Sequence, residues 1–473
     1  RIAEEMELNL GEQIGYRIRF QHQTKKETLL EVVTDGIPLS GNLKRSPFKN
    51  YETVIVDEVH ERSINIDLLL GLLNLERKKR PDLKIILMSA TLDIQRLSAF
   101  FPEAKVFSVE GRTHPVTIEY AETNSDATLP EKVTQQVLQE IRAKTKGNIL
   151  CFLPTERDIK ESEQKLLPQI PASTECLPLY SRLSQKDQDK VFKSSQARQK
   201  IILSTNIAET SLTLPDIRTV IDTGFVRLLR YHSGRGIPLL EVENISQASA
   251  KQRSGRAGRT AAGTCVRLYS EDVFQTMEEH TVPEIKRQDL SQVILKLIAL
   301  GLKEPQEFPF VEKPQPRAFK KGMDQLSFLQ AIKSTSQGWE ITSLGREMVK
   351  LPLAPRLAHL MTQAKREHMA CPLAVVSAFL SLQDPRITPA DKLPQSRASH
   401  LKWQVKNSDH MGMIKLFQAY QTHKQEQSGR QLRKWCVDNY LDWRRMREWD
   451  QLSHELCELV RGQWEKDLNN LNE

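Results

Sequence analysis

A run of β-branched residues that ends in two acids constrains this chain more than any other stretch: Val54–Ile55–Val56–Asp57–Glu58–Val59–His60–Glu61–Arg62. Apolar residues running straight into carboxylates predict a buried parallel strand that stops at the carboxyl edge of an α/β sheet. Ligands of open α/β sheets sit at that edge. Two adjacent acids there suit a nucleotide site, one holding Mg²⁺ largely through its waters and the other polarising an attacking water. The dipeptide alone is equally compatible with a strand whose first loop residues happen to be acidic. Its partners elsewhere in the chain decide between the two.

Several classes are excluded at once. A chain of 473 residues with 39% apolar content can bury a core in each of about three or four domains. The formal net charge of +8 favours an anionic partner, though mildly over this length. The six cysteines (Cys151, Cys176, Cys265, Cys371, Cys436 and Cys457) show no C-x-x-C spacing, which predicts buried thiols in a reducing cytosol, with no disulfide frame or zinc site. No apolar run approaches the roughly 18 residues of a membrane span, and no secretory signal is visible. A cytoplasmic chain without membrane contact is the expectation. The first residue, Arg1, already reads as mid-helix, so the true N-terminus is expected upstream.

The chain in order alternates strand and helix. Residues 15–20 and 29–36 read as strands, 63–77 as a helix with Asp67 on its polar side, and 84–88 as another buried strand that ends at Ser89–Ala90–Thr91. Small hydroxyl residues there can form hydrogen-bonded hinges, or simply close a strand. Residues 111–115 look like a linker. A second α/β unit follows, with strands at 147–153, 200–206 and 220–222, each closing on polar residues. Phe225–Val242 reads as a hairpin around Ser233–Gly234–Arg235–Gly236, with Pro238 confining its second arm to an edge. It can serve packing or act as a tool.

Gln252–Arg253–Ser254–Gly255–Arg256–Ala257–Gly258–Arg259 interleaves arginines with glycine and serine. Arg256 and Arg259, three apart, share a helix face. Guanidinium forks match phosphate oxygens, and the glycines let a ligand or a neighbouring backbone come close. From about 270 the chain becomes a small mixed domain, with an amphipathic helix over Leu290–Ile298 stopped by Gly301. From about 351 it is mostly helical, with helices read at 357–366, 373–382, 401–421, 430–447 and 448–465. In the last of these segments Trp435, Tyr440, Trp443 and Trp449 lie among Arg430, Arg433, Lys434, Arg444, Arg445 and Arg447. They form either a base-stacking surface or a core with a solvated face.

Together these parts describe a two-lobe NTPase, with carboxylates on one lobe and arginines reaching from the other to stabilise charge in phosphoryl transfer. The strings Asp57–Glu58–Val59–His60, Ser89–Ala90–Thr91, Ser204–Thr205–Asn206–Ile207–Ala208–Glu209–Thr210–Ser211 and Gln252–Arg259, in this order, resemble motifs II, III, V and VI of the DEAH-box RNA helicases. Ser381–Leu382–Gln383–Asp384–Pro385–Arg386 and Lys434–Leu441 resemble the bacterial HrpA branch. The resemblance implies two tandem RecA-like parallel-sheet domains (1–112 and 113–270, the latter carrying the hairpin 225–242), a winged-helix domain (271–350) and a helical ratchet-like bundle (351–473). It implies ATP or another NTP with Mg²⁺. It further implies a monomer that moves 3′→5′ on single-stranded RNA and unwinds structured RNA or remodels ribonucleoprotein. Asp57 would hold the metal with Glu58, and Glu58 would activate water. His60 would link the lobes, and Ser89 and Thr91 would couple nucleotide state to motion. Gln252 would position the water, and Arg256 and Arg259 would act as arginine fingers. Phe192 would stack adenine. Arg19, Thr34, Asp35, Gly36 and Thr205 would contact RNA.

The chain departs from the family pattern at three places. Val59 stands for the usual Ala, and Pro154–Thr155 for Ser/Thr–Gly. No G-x-x-x-x-G-K-S/T occurs in the 473 residues, so this chain alone is expected to bind and hydrolyse ATP poorly. A non-catalytic RNA-binding scaffold and a DNA translocase of the same superfamily are the alternative readings.

Overall fold

Two bodies divide the chain: residues 1–52, 67–83 and 289–473 form one, and residues 53–66 and 84–288 the other. The computed structural model describes residues 2–18, 21–39, 46–90, 94–109, 114–121, 126–183, 185–193, 199–209, 212–232, 237–364, 367, 369–389 and 392–460. Arg19 and Thr91 lie outside the described residues, as does the hairpin turn 233–236.

In the first body, β1 (Ile14–Ile18) pairs antiparallel with β2 (Gln21–Gln23) and parallel with β3 (Leu30–Val33). The second body holds β4 (Thr53–Val56) and β5 (Lys84–Leu87), a parallel pair in register from Thr53↔Lys84 to Val56↔Leu87. It also holds a six-stranded, wholly parallel sheet. Its strands are β6 (Val116–Tyr120), β7 (Asn148–Phe152), β8 (Thr174–Leu179), β9 (Gln199–Ser204), β10 (Ile217–Asp222) and, after the hairpin β11 (Phe225–His232) and β12 (Ile237–Asn244), β13 (Gly263–Arg267). The strand order is β6-β13-β10-β7-β9-β8. Sequential strands leave β7 first on one side and then on the other, so the topological switch lies between β7 and β10. Ile149, Leu150, Cys151, Ile201, Ile202, Leu203, Val220 and Ile221 are all fully buried, one face covered by the helices Leu129–Arg142 and Glu156–Leu166 and the other by Val191 of the helix Gln185–Phe192 with Ala208, Leu214 and Ala257. Each such aliphatic side chain contributes ~1.5–3 kcal/mol.

The expected buried strands at 54–56 and 84–88 are corrected in part. Both are parallel strands, but Ile55 is 53% exposed and Ile86 45% exposed. Among the described residues this sheet has two strands, and its outward side chains meet no covering layer. Asp67, read as solvent-facing, is fully buried in the helix Ile64–Lys79.

The rest of the first body is mainly helical. Helices Ser291–Ala299 and Pro316–Phe328 precede the hairpin of β14 (Ile332–Thr335) and β15 (Gly338–Ile341), and Thr342 caps the helix Ser343–Met348 by accepting from Gly345 N. A Cβ on Gly71 would lie 2.3 Å from the Phe308 ring, so that close approach requires glycine. Further on, Trp449 donates its indole N–H to Val375 O at 2.8 Å, with the Phe379 and Phe417 rings each 5.0 Å away. Of the long helices of the sequence reading, 401–421 begins only at Asp409 and 430–447 is broken. Residues 402–408 separate Leu393–Leu401 from Asp409–Glu426, where Ser408 caps the second helix. Residues 439–442 separate Gly429–Asp438 from Trp443–Leu459, where Asp442 accepts from Arg444 N and Arg445 N. The expectation of unpaired thiols also needs correction. Cys371 and Cys457, 86 residues apart, are disulfide-bonded between two packed helices, while Cys151, Cys176, Cys265 and Cys436 are free. No helix of the described residues is long and apolar enough to cross a membrane.

Candidate functional site

The site grows from the end of β4. Asp57 Oδ1 accepts from Glu58 N at 2.8 Å, and the backbone then turns through left-handed conformations at Glu58 (φ 51°) and Arg62 (φ 47°). Such geometry at non-glycine residues costs about 1–3 kcal/mol each and persists only when neighbours enforce it. Here the neighbours are identifiable. Val59 N donates to Met88 O at 3.1 Å, and Val59 is fully buried. Glu284 N donates to Arg62 O at 3.1 Å, while Glu284 Oε2 accepts from Ile64 N at 3.0 Å, capping the next helix. Glu284 also pairs with Arg287 at 3.7 Å, and Arg287 donates to Leu229 O in β11 at 2.9 Å. Thus one short segment braces both the acid loop and the hairpin.

His60 joins the acids to the arginine segment. The Gln252 amide donates to His60 Nε2 at 2.8 Å, which puts the imidazole proton on Nδ1. Nδ1 faces Glu58 Oε2 at 3.4 Å, is buried, and makes no full hydrogen bond. The order Glu58–His60–Gln252 is therefore continuous in space.

Gln252 sits on the helix Gln247–Gly255, whose N-cap Ser246 accepts from Ser249 N. Arg253, on the same helix, is 1% exposed. It donates to Glu209 Oε2 at 2.9 Å and to Asp222 Oδ1 at 2.8 Å, and its guanidinium lies 4.7 Å from the centre of the Phe152 ring. Burial alone would push this group down, but Asp222 and Glu209 outweigh it and hold it above the ordinary arginine range. Phe152 and Asp222 end β7 and β10, so Arg253 closes the switch point of the sheet. Arg256 donates to the carbonyls of Glu209 and Leu212. Burial, and next the neighbouring Arg259, bring Arg256 down to about 10, so it remains a cation at neutral pH. Arg259 is exposed and is also lowered by burial. Glu58 opposes the shift in both. Glu58, His60, Gln252, Arg256 and Arg259 thus share one electrostatic neighbourhood. The glycine argument holds at Gly258, where a Cβ would meet His114 O at 2.6 Å. The close neighbour is backbone.

The remaining candidates are spread out. Ser89 is half-buried just past β5. Phe192 ends the helix Gln185–Phe192, 39% exposed. Thr205 follows β9, its N–H bonded to Leu179 O at 3.1 Å. Thr34, Asp35 and Gly36 form a turn after β3 in the other body, where Thr34 O accepts from Ile37 N at 2.9 Å. Thr155 has a local task, as N-cap of Glu156–Leu166 accepting from Asp158 N at 3.1 Å. Sequence reasoning missed Arg253, Glu209, Asp222 and Glu284 as supports. The available signal was Asp222, a lone carboxylate directly after an apolar strand, which requires a cation when buried.

Asp57 and Glu58 offer oxygen donors at an open strand end. No group of three or more His, Cys, Asp or Glu side chains that could hold a metal occurs among the described residues. Two carboxylates without a cage suit a hard cation that keeps most of its own water and takes oxygens from a phosphate ligand.

Residues 132–261 match the helicase conserved C-terminal domain. The chain is 40% identical over 467 residues to the ATP-dependent RNA helicase HrpA of Escherichia coli (strain K12), covering 98% of this chain and 36% of that protein. It is 34% identical to the ATP-dependent RNA helicase DHX33 of Mus musculus, covering 94% of this chain and 65% of that one. The crystal structure of the E. coli DExH-box NTPase HrpB superposes with a TM-score of 0.78 at 30% identity, over 98% of this chain and 51% of that chain. The six-stranded parallel sheet with its arginine helix is thus a helicase C-terminal domain of the RecA-like class. Along nearly its whole length the chain is similar to proteins named ATP-dependent RNA helicases, HrpA among them, and it spans about a third of the length of its HrpA relatives.

Proposed function

We propose that this chain is the motor portion of an ATP-dependent RNA helicase. It would couple NTP hydrolysis to 3′→5′ movement on single-stranded RNA and to unwinding or ribonucleoprotein remodelling. The observation that carries the reading is the Gln252–His60 hydrogen bond, with Glu58 on one side of it and Arg256 and Arg259 under the influence of Glu58's charge. Asp57, with Glu58, would hold a magnesium ion, which supplies charge compensation on phosphate oxygens. Glu58 takes the proton of the attacking water or orients it. The Nδ1–H of His60 steadies the Glu58 carboxylate, and Gln252 holds His60 in that tautomer. Arg259, exposed and cationic, meets charge building on the transferred phosphoryl group, and Arg256 sets the loop beside it. Phe192 offers a stacking face for a base. Thr205, Thr34–Asp35–Gly36 and Arg19 are assigned to the RNA backbone, and Ser89 and Thr91 to coupling. On this reading 271–350 is a winged-helix domain, supported by its helices followed by the β14–β15 hairpin, and 351–473 is the ratchet-like bundle.

The test is nucleotide hydrolysis by the full-length protein, with and without single-stranded RNA, beside Glu58→Gln. RNA-stimulated turnover should fall by about 10²-fold or more in the variant. The 473 residues alone, which contain no P-loop signature, should turn over little. Stimulation by duplex DNA above that by RNA would favour the translocase reading. RNA binding without turnover would favour the scaffold.

A further inference from the structure

Lys200 stands at the second position of β9, on the same sheet face as Ile202, and is 5% exposed. Ile202 packs there with Val191 of the helix Gln185–Phe192. The backbone that carries the lysine is tied into the sheet. Lys200 N donates to Asn148 Oδ1 at 2.8 Å, and Asn148 Nδ2 donates to Pro215 O at 2.9 Å. The preceding Gln199 Nε2 donates to Gly147 O at 2.8 Å.

From that base the side chain reaches the end of the helix. Lys200 Nζ donates to Lys190 O at 2.9 Å, to Val191 O at 3.4 Å and to Lys193 O at 2.6 Å. The last carbonyls of a helix have no intrahelical donor, and an ammonium has three N–H groups to offer. Three donors thus meet three such carbonyls, with the positive charge at the negative end of the helix dipole. Among the described residues no carboxylate pairs with Lys200, whereas Lys190 on the same helix pairs with Asp187 at 2.9 Å. A buried cation held only by carbonyls is costly unless those carbonyls stay in place, so Lys200 and this turn fix each other. The carbonyls lie on both sides of Phe192 in the chain. Val191 is fully buried beneath the turn, and Phe192 is partly exposed beside it. A rotated or frayed last turn would carry the Phe192 ring with it.

We propose that Lys200 is a positioning residue for base recognition: by holding the carbonyls before and after Phe192, it sets the ring against the base of a bound nucleoside triphosphate. It acts through Phe192, and its loss should be felt by the base and not by the phosphates. The proposal rests on the assignment of Phe192 to base stacking given above and makes that stacking depend on a buried amine of another element.

The test is steady-state hydrolysis of ATP by the full-length protein, beside inhibition by tripolyphosphate, which carries the phosphates and no base. Lys200→Met removes the donors and keeps the apolar stem. It should raise KM for ATP by about tenfold, the worth of one base–aromatic stack, with kcat within about twofold. The inhibition constant of tripolyphosphate should not move. Phe192→Ala should give the same pattern, and adding Lys200→Met to it should raise KM no further. Lys200→Gln, which keeps an amide donor, is the second variant and should raise KM about threefold. An unchanged KM in both Lys200 variants, with Phe192→Ala raising it, overturns the role of Lys200 and leaves the stacking assignment standing. An unchanged KM in Phe192→Ala overturns that assignment and the proposal with it. Equal weakening of ATP and tripolyphosphate, or loss of the folded state in both Lys200 variants, makes Lys200 a support of the fold alone and overturns its positioning role.

Discussion

Two parallel sheets of the same body carry nearly the same chemistry and have opposite fates. In β9, Ile201 and Ile202 are fully buried, each face covered by helices; in β4, the equally β-branched Ile55 is 53% exposed. A β-branched run specifies a strand and its partner direction. Burial depends on how many neighbours the sheet has and what lies over it. Both sheets end in polar groups, yet the six-stranded sheet braces its carboxyl edge internally, through Arg253 with Asp222 and Glu209. The β4 end is braced by a distant segment, through Glu284. The first edge is a rigid foundation, and the second is a strained loop held in place from outside.

The contrast can be broken most sharply at Arg253. Arg253→Met leaves Asp222 and Glu209 facing each other without their cation and should cost about 3–5 kcal/mol in urea unfolding. A loss under 1 kcal/mol, as a rough threshold, would mean that the pair is not the foundation claimed. Next comes Ile202→Ala in β9, expected to cost about 2–5 kcal/mol through an unfilled core volume. Glu284→Ala removes the carboxylate cap on Ile64 N while keeping the backbone bond to Arg62 O, for about 1 kcal/mol. Its sharper readout is hydrogen exchange, which should rise in residues 59–64 while that of β9 stays unchanged. Equal exchange in wild type and variant would remove Glu284 as the brace. The smallest effect is expected for Ile55→Ala, roughly 0.5 kcal/mol, since exposed sites away from special features respond weakly. Should Ile55→Ala match Ile202→Ala, the two sheets would be equally packed in solution and the comparison would fail.

The pairing of Glu58 with His60 and Gln252 shows how far local chemistry reaches. Glu58 stood out in the sequence because acids after an apolar strand carry local meaning, whereas His60 and Gln252 stood out only through the resemblance of their strings to helicase motifs. The brace at Glu284 did not, because a glutamate in a short helical turn looks like any solvated acid until the backbone it caps, 220 residues away, is in view. Arg253 was visible within its string. Its complete burial was not, because burial is set by Phe152, Asp222 and Glu209 on other elements.

By itself, the sequence determined the strands that end in polar residues, the hairpin of β11 and β12, the capped helix after β15 and the order of the helicase strings. These follow from side-chain period, turn chemistry and short-range capping, which act over a few residues. Only the tertiary structure decided which apolar strands are covered and where the late helices break. It also decided that Asp67 is buried, that Cys371 meets Cys457, and that of three neighbouring arginines one is a buried pillar, one holds a loop and one stays exposed. Those outcomes depend on desolvation and on partners far along the chain, and a residue's own neighbours in sequence do not report either.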